Sequence, residues 1–155
     1  MYFNEFYTKE NITYFKDGKE TTSNLYRMAI NYVDIDSGKI GTLDNNTIAG
    51  FAIAGKYLYY FPFEPRVVEY GEGKAFACAS KGYVIQKDLT TGEEKKFVVK
   101  GEPKLGHGYT YYYHGRLFTY GVFVNNDNQL EEYEIEIDLV TGEYRRIPRI
   151  LLQTG

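Results

Sequence analysis

The sequence is poor in the residues that carry most metal-binding and nucleophilic chemistry. Its 155 residues include one cysteine, two histidines and no tryptophan. A single cysteine excludes an internal disulfide framework, and Cys78, within AFACAS, has the small and apolar neighbours of a buried, inert thiol. His107 and His114 are seven positions apart, which would place them on opposite faces of an ideal strand. We therefore expect neither a metal site nor a bound cofactor.

Other absences narrow the class of protein. No apolar run approaches the roughly 20 residues that a membrane-spanning helix needs, and the beginning, MYFNEFYTKE, has no basic region followed by an apolar run. We therefore expect a soluble, cytoplasmic protein without membrane contact. The formal net charge of −3 argues against a nucleic acid as partner.

Recognisable catalytic motifs are also missing. Neither histidine belongs to a nucleophile-elbow sequence, and the Gly-x-Gly-Lys of YGEGKAF lacks the spacing and the following helix of a phosphate-binding loop. The segment 125–132, NNDNQLEE, is an Asn-rich turn that lacks the alternating ligands and central glycine of a calcium loop. We predict that the protein is not an enzyme.

What the sequence has in abundance is the composition of short strands and tight turns. It contains 17 tyrosines, 10 phenylalanines and 16 glycines, against four prolines. Tyrosine and phenylalanine favour half-buried pleated surfaces, and glycine supplies turns with positive φ. With no segment of helical period, the chain is predicted to be a single all-β domain over residues 1–155.

Three segments share one turn. AINYVDIDSGKIGTL (29–43), YVIQKDLTTGEEKKF (83–97) and YEIEIDLVTGEYRRI (133–147) each place an aspartate four residues before a glycine. The aspartates are Asp34, Asp88 and Asp138. The aspartate can cap backbone N–H groups, the threonine can do so more weakly, and the glycine accepts positive φ, so each segment is predicted to be a strand, a turn and a strand.

A second recurrent turn, glycine followed by a basic residue, precedes each copy at Gly18, Gly73 and Gly115. Combining the two turns gives units of four antiparallel strands arranged as a meander. The predicted units are 11–45, 66–100 and 108–150, with an extra hairpin at 48–63 between the first two.

Units of this length and turn chemistry resemble the blades of a β-propeller, in particular quinoprotein-like and kelch-like blades with an Asp-x-x-Thr-Gly turn. The sequence departs from that pattern because it lacks a tryptophan docking motif and the kelch double glycine. Propellers have about four to eight blades, so the resemblance implies that a second copy completes a ring as a homodimer, or that the chain is part of a longer propeller. The alternative fold is a single β-barrel or sandwich.

Two functions remain open from the sequence. The first is a non-enzymatic β-scaffold for protein–protein interaction or assembly, because open sheet edges need a partner. The alternative is a lectin-like module for a carbohydrate or nucleotide, because tyrosines with a polar rim can stack on sugars and bases. The candidate ligand-binding residues lie near the glycine-basic turns and the extra hairpin; they are His107, Tyr112, His114, Arg116, Tyr60 and Arg66.

Overall fold

The computed structural model describes residues 1–81, 83–98 and 110–148, and this part of the chain is all-β, without a helix. The all-β prediction is confirmed. The strands are β1 (Tyr2–Lys16), β2 (Lys19–Val33), β3 (Ile40–Ala54), β4 (Tyr57–Pro62), β5 (Arg66–Glu69), β6 (Ala75–Cys78), β7 (Tyr83–Asp88), β8 (Glu94–Val98), β9 (Tyr111–Tyr113), β10 (Arg116–Val124), β11 (Leu130–Asp138) and β12 (Tyr144–Pro148).

The strands form three antiparallel sheets. One sheet has six strands in the order β1-β2-β3-β4-β7-β8, one has four in the order β12-β11-β10-β9, and β5 pairs with β6 alone. Within the described ranges no sheet closes on itself, so β1 is an edge strand of the six-stranded sheet.

The first three strands are long because tight turns join them directly. β1 and β2 pair along their whole length around a two-residue turn in which Asp17 (φ 54°) and Gly18 (φ 72°) both have positive φ, as the twist of a two-residue hairpin favours. One β-bulge interrupts this pairing at Tyr7, between Phe6 and Thr8. An inserted residue reverses the alternation of side chains between the two faces of the sheet, so residues before and after Tyr7 follow opposite parity.

The three aspartate turns have one geometry. In each, the carboxylate accepts the backbone N–H groups two and three residues later, at 2.8 to 3.2 Å. The N–H of each glycine donates to the aspartate carbonyl at 2.8 or 2.9 Å, and the glycine φ lies between 71° and 77°. In the second and third copies the threonine hydroxyl also accepts an N–H, at 3.2 Å. The predicted aspartate cap, threonine contact and positive glycine φ are confirmed.

The boundaries of the sheets differ from those of the predicted units. The third unit contains the complete four-stranded meander β9 to β12. In the first unit, the segment between the two turns was expected to form two strands, but it forms one unbroken strand, β2. Register shifts near Ile30 interrupt the pairing of β2 with β3. In the second, β7 and β8 join the large sheet through β4, and β5 and β6 stand apart. The extra hairpin is present, with its turn at Gly55 and Lys56, but it lies inside the six-stranded sheet.

The main hydrophobic core is built from all three sheets. It includes the fully buried Phe61 and Val84 of the six-stranded sheet and Leu117 and Ile135 of the four-stranded sheet, with Ala77 of β6 packed against them. A second cluster centred on Ile30, Leu58 and Tyr60 contains the residues that alternate with this core along β4. β4 is therefore buried on both faces, which makes it the centre of the fold.

Candidate functional site

Three of the predicted site residues lie on the β9–β10 hairpin. His114 (φ 47°) and Gly115 (φ 77°) have the backbone conformation of Asp17 and Gly18, so His114 is a turn residue. Its ring packs edge-to-face against the ring of Tyr113, with 4.1 Å between the ring centroids. Tyr112 stands opposite Leu117 in β10 and is 38% exposed. The hairpin therefore presents tyrosines to solvent.

Arg116 borders a shallow polar pocket of about 390 Å³, which is lined by Arg116, Glu136, Asp138, Glu143, Tyr144 and Arg145. Its charged groups satisfy one another across the strands. Arg116 contacts Asp138 at 3.0 Å, and Arg145 donates from Nε to Glu136 at 2.9 Å. The backbone N–H groups of Val140 and Thr141, together with Arg116, hold the pKa of Asp138 below its usual value. The charges here stabilise the sheet.

Tyr60 lies in the second hydrophobic cluster and is 2% exposed. Its hydroxyl donates a hydrogen bond to Asp44 at 2.7 Å and is also within hydrogen-bonding distance of a carboxylate oxygen of Glu94, at 3.4 Å. Burial, followed by these two carboxylates, raises the pKa of Tyr60 far above the ordinary phenol value. Its hydroxyl is engaged within the protein, and its ring does not face solvent.

Arg66 lies at the start of β5, where its Nε donates to the carbonyl of Ser80 at 3.2 Å. Its Nη2 and the Ser80 hydroxyl are buried, and neither has a hydrogen-bond partner among the described residues. His107 lies outside the described residues. No described contact joins Arg66 or Tyr60 to the β9–β10 hairpin, so the structure does not assemble the predicted residues into one site.

Neither a metal cluster nor a membrane helix is found in the described ranges. They contain no group of three histidine, cysteine or carboxylate side chains that could hold a metal ion. They also contain no helix long and apolar enough to cross a membrane.

Among the described strands that have a paired neighbour on only one side, β1 is the longest. At the open end of the β1–β2 hairpin, Met1 and Val33 exchange both N–H···O=C bonds, at 3.0 and 2.8 Å. At the closed end, the two-residue turn makes Lys16 and Lys19 the closing hydrogen-bonded pair. Because hydrogen-bonded pairs alternate with non-hydrogen-bonded pairs, every second residue of β1 directs its N–H and C=O away from β2. These residues are Tyr2, Asn4, Phe6, Lys9, Asn11, Thr13 and Phe15.

We call the outward N–H and C=O groups of Phe6, Lys9, Asn11, Thr13 and Phe15 the β1 edge. Among the described residues, no backbone group pairs with it: β1 pairs only with β2, and the nearby bond from the Asp17 N–H to the Gly73 carbonyl, 2.7 Å, lies beyond its end. Unpaired strand edges of this kind accept another strand.

Exposed aromatic rings flank the β1 edge. Phe6 and Phe15 are 56% and 71% exposed, and the Phe6 ring contacts Tyr26 of β2 edge-to-face at 6.1 Å. All three lie on one face of the sheet, which we call the outer face, since Phe6 stands opposite Met28 and Phe15 opposite Glu20, both on the side of Tyr26. Large apolar rings beside an open edge are typical of an interaction surface.

Sequence reasoning missed this surface. The recurrent turns point to the histidine and tyrosines near Gly115, and only the second part of β1, from Asn11, falls within the first predicted unit. The available signal was Phe15: Ile12 and Tyr14 alternate with Asn11 and Thr13, so an apolar residue directly after Tyr14 falls on the opposite, polar face.

Comparison of the chain with protein-family models and with curated proteins finds no match. The function is therefore inferred from the structure of the chain itself.

Proposed function

We propose that this protein is a non-enzymatic β-scaffold that binds another protein by adding a strand to the β1 edge. The observation that carries the proposal is an unpaired edge on a strand of 15 residues, flanked by the exposed rings of Phe6, Phe15 and Tyr26. Strand addition gives affinity through backbone hydrogen bonds and specificity through contacts to alternate side chains.

The usual means of blocking an edge are weak in β1. Natural sheets protect edges with very short strands, with proline, or with charged side chains. β1 contains no proline, and from Phe6 to Phe15 its charged side chains are Lys9 and Glu10, of which Glu10 pairs with Arg27 of β2 at 2.6 Å. The bulge at Tyr7 is a further protective device, and it leaves the outward residues from Lys9 to Phe15 in one regular run.

The propeller-like repeat belongs to the same proposal. Its support is the common geometry of the three aspartate turns and the four-stranded meander β9 to β12. A ring completed by a second copy would require contact between faces of blades, whereas strand addition requires only the β1 edge. Substitutions confined to that edge therefore distinguish the two modes of association.

The test is an exchange of one residue at the centre of the edge. The N–H of Asn11 points away from β2, so Asn11→Pro removes a donor to which no described residue is bonded. Proline is tolerated at such edge positions. Asn11→Ala is the matched control because it shortens the same side chain and keeps the N–H. Both variants should keep the circular dichroism spectrum and the melting temperature of the parent to within a few degrees.

Tagged versions of the parent, Asn11→Ala and Asn11→Pro are then used as baits. Each is mixed with an extract of the producing cells to which an untagged copy of the parent chain has been added, and the retained proteins are identified. The proposal expects a protein that is retained by the parent and by Asn11→Ala and lost with Asn11→Pro. Equal retention by all three chains, or no retention by any, would overturn it.

A further inference from the structure

Residues 5–16, EFYTKENITYFK, form a near palindrome. The run Glu-Phe-Tyr-Thr at its beginning is matched in reverse by Thr-Tyr-Phe-Lys at its end, with opposite charges at the two outer positions. A strand with this order presents the same sequence of side-chain types to a partner that runs the other way. We infer that the strand added to the β1 edge is β1 of a second copy, in antiparallel pairing around a two-fold axis at Asn11. This inference rests on the proposed function.

The backbone fixes where such an axis can lie. A two-fold axis perpendicular to the sheet places one residue opposite itself and requires opposed residues to share a face. An axis at a residue that directs its N–H and C=O outward gives a hydrogen-bonded central pair, and an axis at a residue that directs them toward β2 gives a non-hydrogen-bonded central pair. Every position from Lys9 to Thr13 therefore satisfies the backbone, and the side chains decide among them. With the axis at Asn11, Lys9 stands opposite the partner's Thr13, and both residues direct their backbone groups outward.

The bulge at Tyr7 then brings the ends of the palindrome into register. In a regular strand, Phe6 and Phe15 have opposite parity and would lie on opposite faces. Because Tyr7 is inserted, both rings lie on the outer face, and Tyr7 itself has no opposite residue in the partner strand. Phe6 then stands opposite the partner's Phe15, and both residues direct their N–H and C=O toward one another.

The side chains fit this register. The opposed Phe6 and Phe15 rings join Tyr26, which already contacts Phe6, so each end of the paired strands gains an aromatic cluster on the outer face. The next pair is Glu5 opposite the partner's Lys16, and the two-fold axis produces this opposite-charge pair twice.

The four other positions of the axis do not fit. An axis at Lys9 or Glu10 places two like charges directly opposite each other, which is destabilising. An axis at Ile12 or Thr13 carries Phe6 onto or past the partner's turn after Lys16, so that Phe6 has no opposite residue in the strand. An axis at Asn11 alone pairs the aromatic and the charged residues.

The symmetry also limits the assembly. A two-fold contact uses the same surface on both copies, so pairing occupies both β1 edges and leaves none for a third chain. The expected product is a closed dimer with a continuous sheet of twelve strands, six from each copy, and not a fibre.

The test is the mass of the purified chain by sedimentation equilibrium at micromolar concentrations. The parent and Asn11→Ala are expected at twice the 17.9 kDa of one chain, and Asn11→Pro at 17.9 kDa. A charge exchange tests the register. Glu5→Lys and Lys16→Glu should each weaken the dimer about tenfold, since each creates two like-charge pairs, and the double variant should recover most of the loss.

Glu5 also accepts a hydrogen bond from Asn31 within its own chain. That contact is lost in both Glu5→Lys and the double variant, so recovery by Lys16→Glu reports only the contact between copies. A parent chain of 17.9 kDa at all concentrations overturns the inference, as does a dimer that persists in Asn11→Pro or a double variant that fails to recover. If the chain is a monomer but a different protein is captured in a manner that Asn11→Pro abolishes, the proposed function stands and only self-pairing fails.

Discussion

Gly121, in the middle of β10, provides a direct test of the packing between β10 and β11. A Cβ at this position would overlap Cδ1 of Ile135 and lie 3.0 Å from Ile135 Cγ1 and 3.2 Å from a ring carbon of Phe123. Ile135 is fully buried in the main core, so its side chain has no open space to move into. Overpacking of this kind costs about 1–3 kcal/mol, whereas replacing a strand glycine by alanine returns about 0.5–1 kcal/mol. Gly121→Ala should therefore lower the free energy of unfolding by about 1–2 kcal/mol.

The assay is urea unfolding of a double-mutant cycle with Ile135→Val, which removes the overlapping methyl group. Ile135→Val alone should cost about 0.5–1.5 kcal/mol. The double variant should be more stable than the sum of the single effects predicts, by about 1 kcal/mol.

Gly41→Ala is the matched control. Its added Cβ also meets a side chain closely, the ring of Tyr32, but Tyr32 is 39% exposed and can swing into solvent. We expect this substitution to change the free energy of unfolding by less than about 0.5 kcal/mol. A Gly121→Ala variant as stable as the parent, or additive effects in the cycle, would show that β10 and β11 do not pack in this way.

Two further predictions concern titrating groups. Tyr60→Phe should cost about 1.5–3 kcal/mol at neutral pH, since the hydroxyl donates to the carboxylate of Asp44. Because burial raises the pKa of Tyr60, the folded chain keeps this proton while the unfolded chain loses it near pH 10. The parent should therefore lose stability as the pH rises above about 10, and urea unfolding of Tyr60→Phe should show a shallower loss. The pKa of Asp88 is held below its usual value, first by the Thr90 hydroxyl and also by backbone N–H groups and Lys56. The stabilisation from the Asp88 carboxylate is present above about pH 4 and lost as the pH falls below it. Asp88→Ala should lower the melting temperature more than Asp34→Ala, because Asp88 is buried and contacts Lys56 at 3.1 Å, whereas Asp34 is exposed. Equal effects of the two alanine variants would contradict the role of Lys56 and Thr90.

The turns and the strand class could be predicted from the sequence because both depend on near neighbours. An aspartate that caps N–H groups two and three residues later, as Asp138 does, needs no distant contact. The pairing of β4 with β7 could not be predicted in this way. β4 is apolar at successive positions and buried on both faces, so its sequence has no alternation to fix a neighbour, and β5 and β6 lie between the two strands in the chain.

The same limit explains the site residues. Tyr60 looks like a surface ligand group from its position in the extra hairpin. Its hydroxyl instead meets Asp44, on the part of β3 that precedes the predicted hairpin, and Glu94, on the distant strand β8. The turn predicted at Gly115 is present, and it includes His114, which directly precedes the glycine. The openness of the β1 edge is a property of the whole sheet, which no local pattern reports.

Amide hydrogen exchange along β1, measured residue by residue at several protein concentrations, shows whether a second β1 strand pairs with the β1 edge. The N–H groups of Glu10 and Ile12 face β2 and should exchange slowly at every concentration. Those of Lys9, Asn11 and Thr13 face outward, and the account predicts that their exchange slows as the concentration rises and the second β1 strand pairs with them. Outward N–H groups that exchange at the rate of an unprotected chain at all concentrations would contradict it.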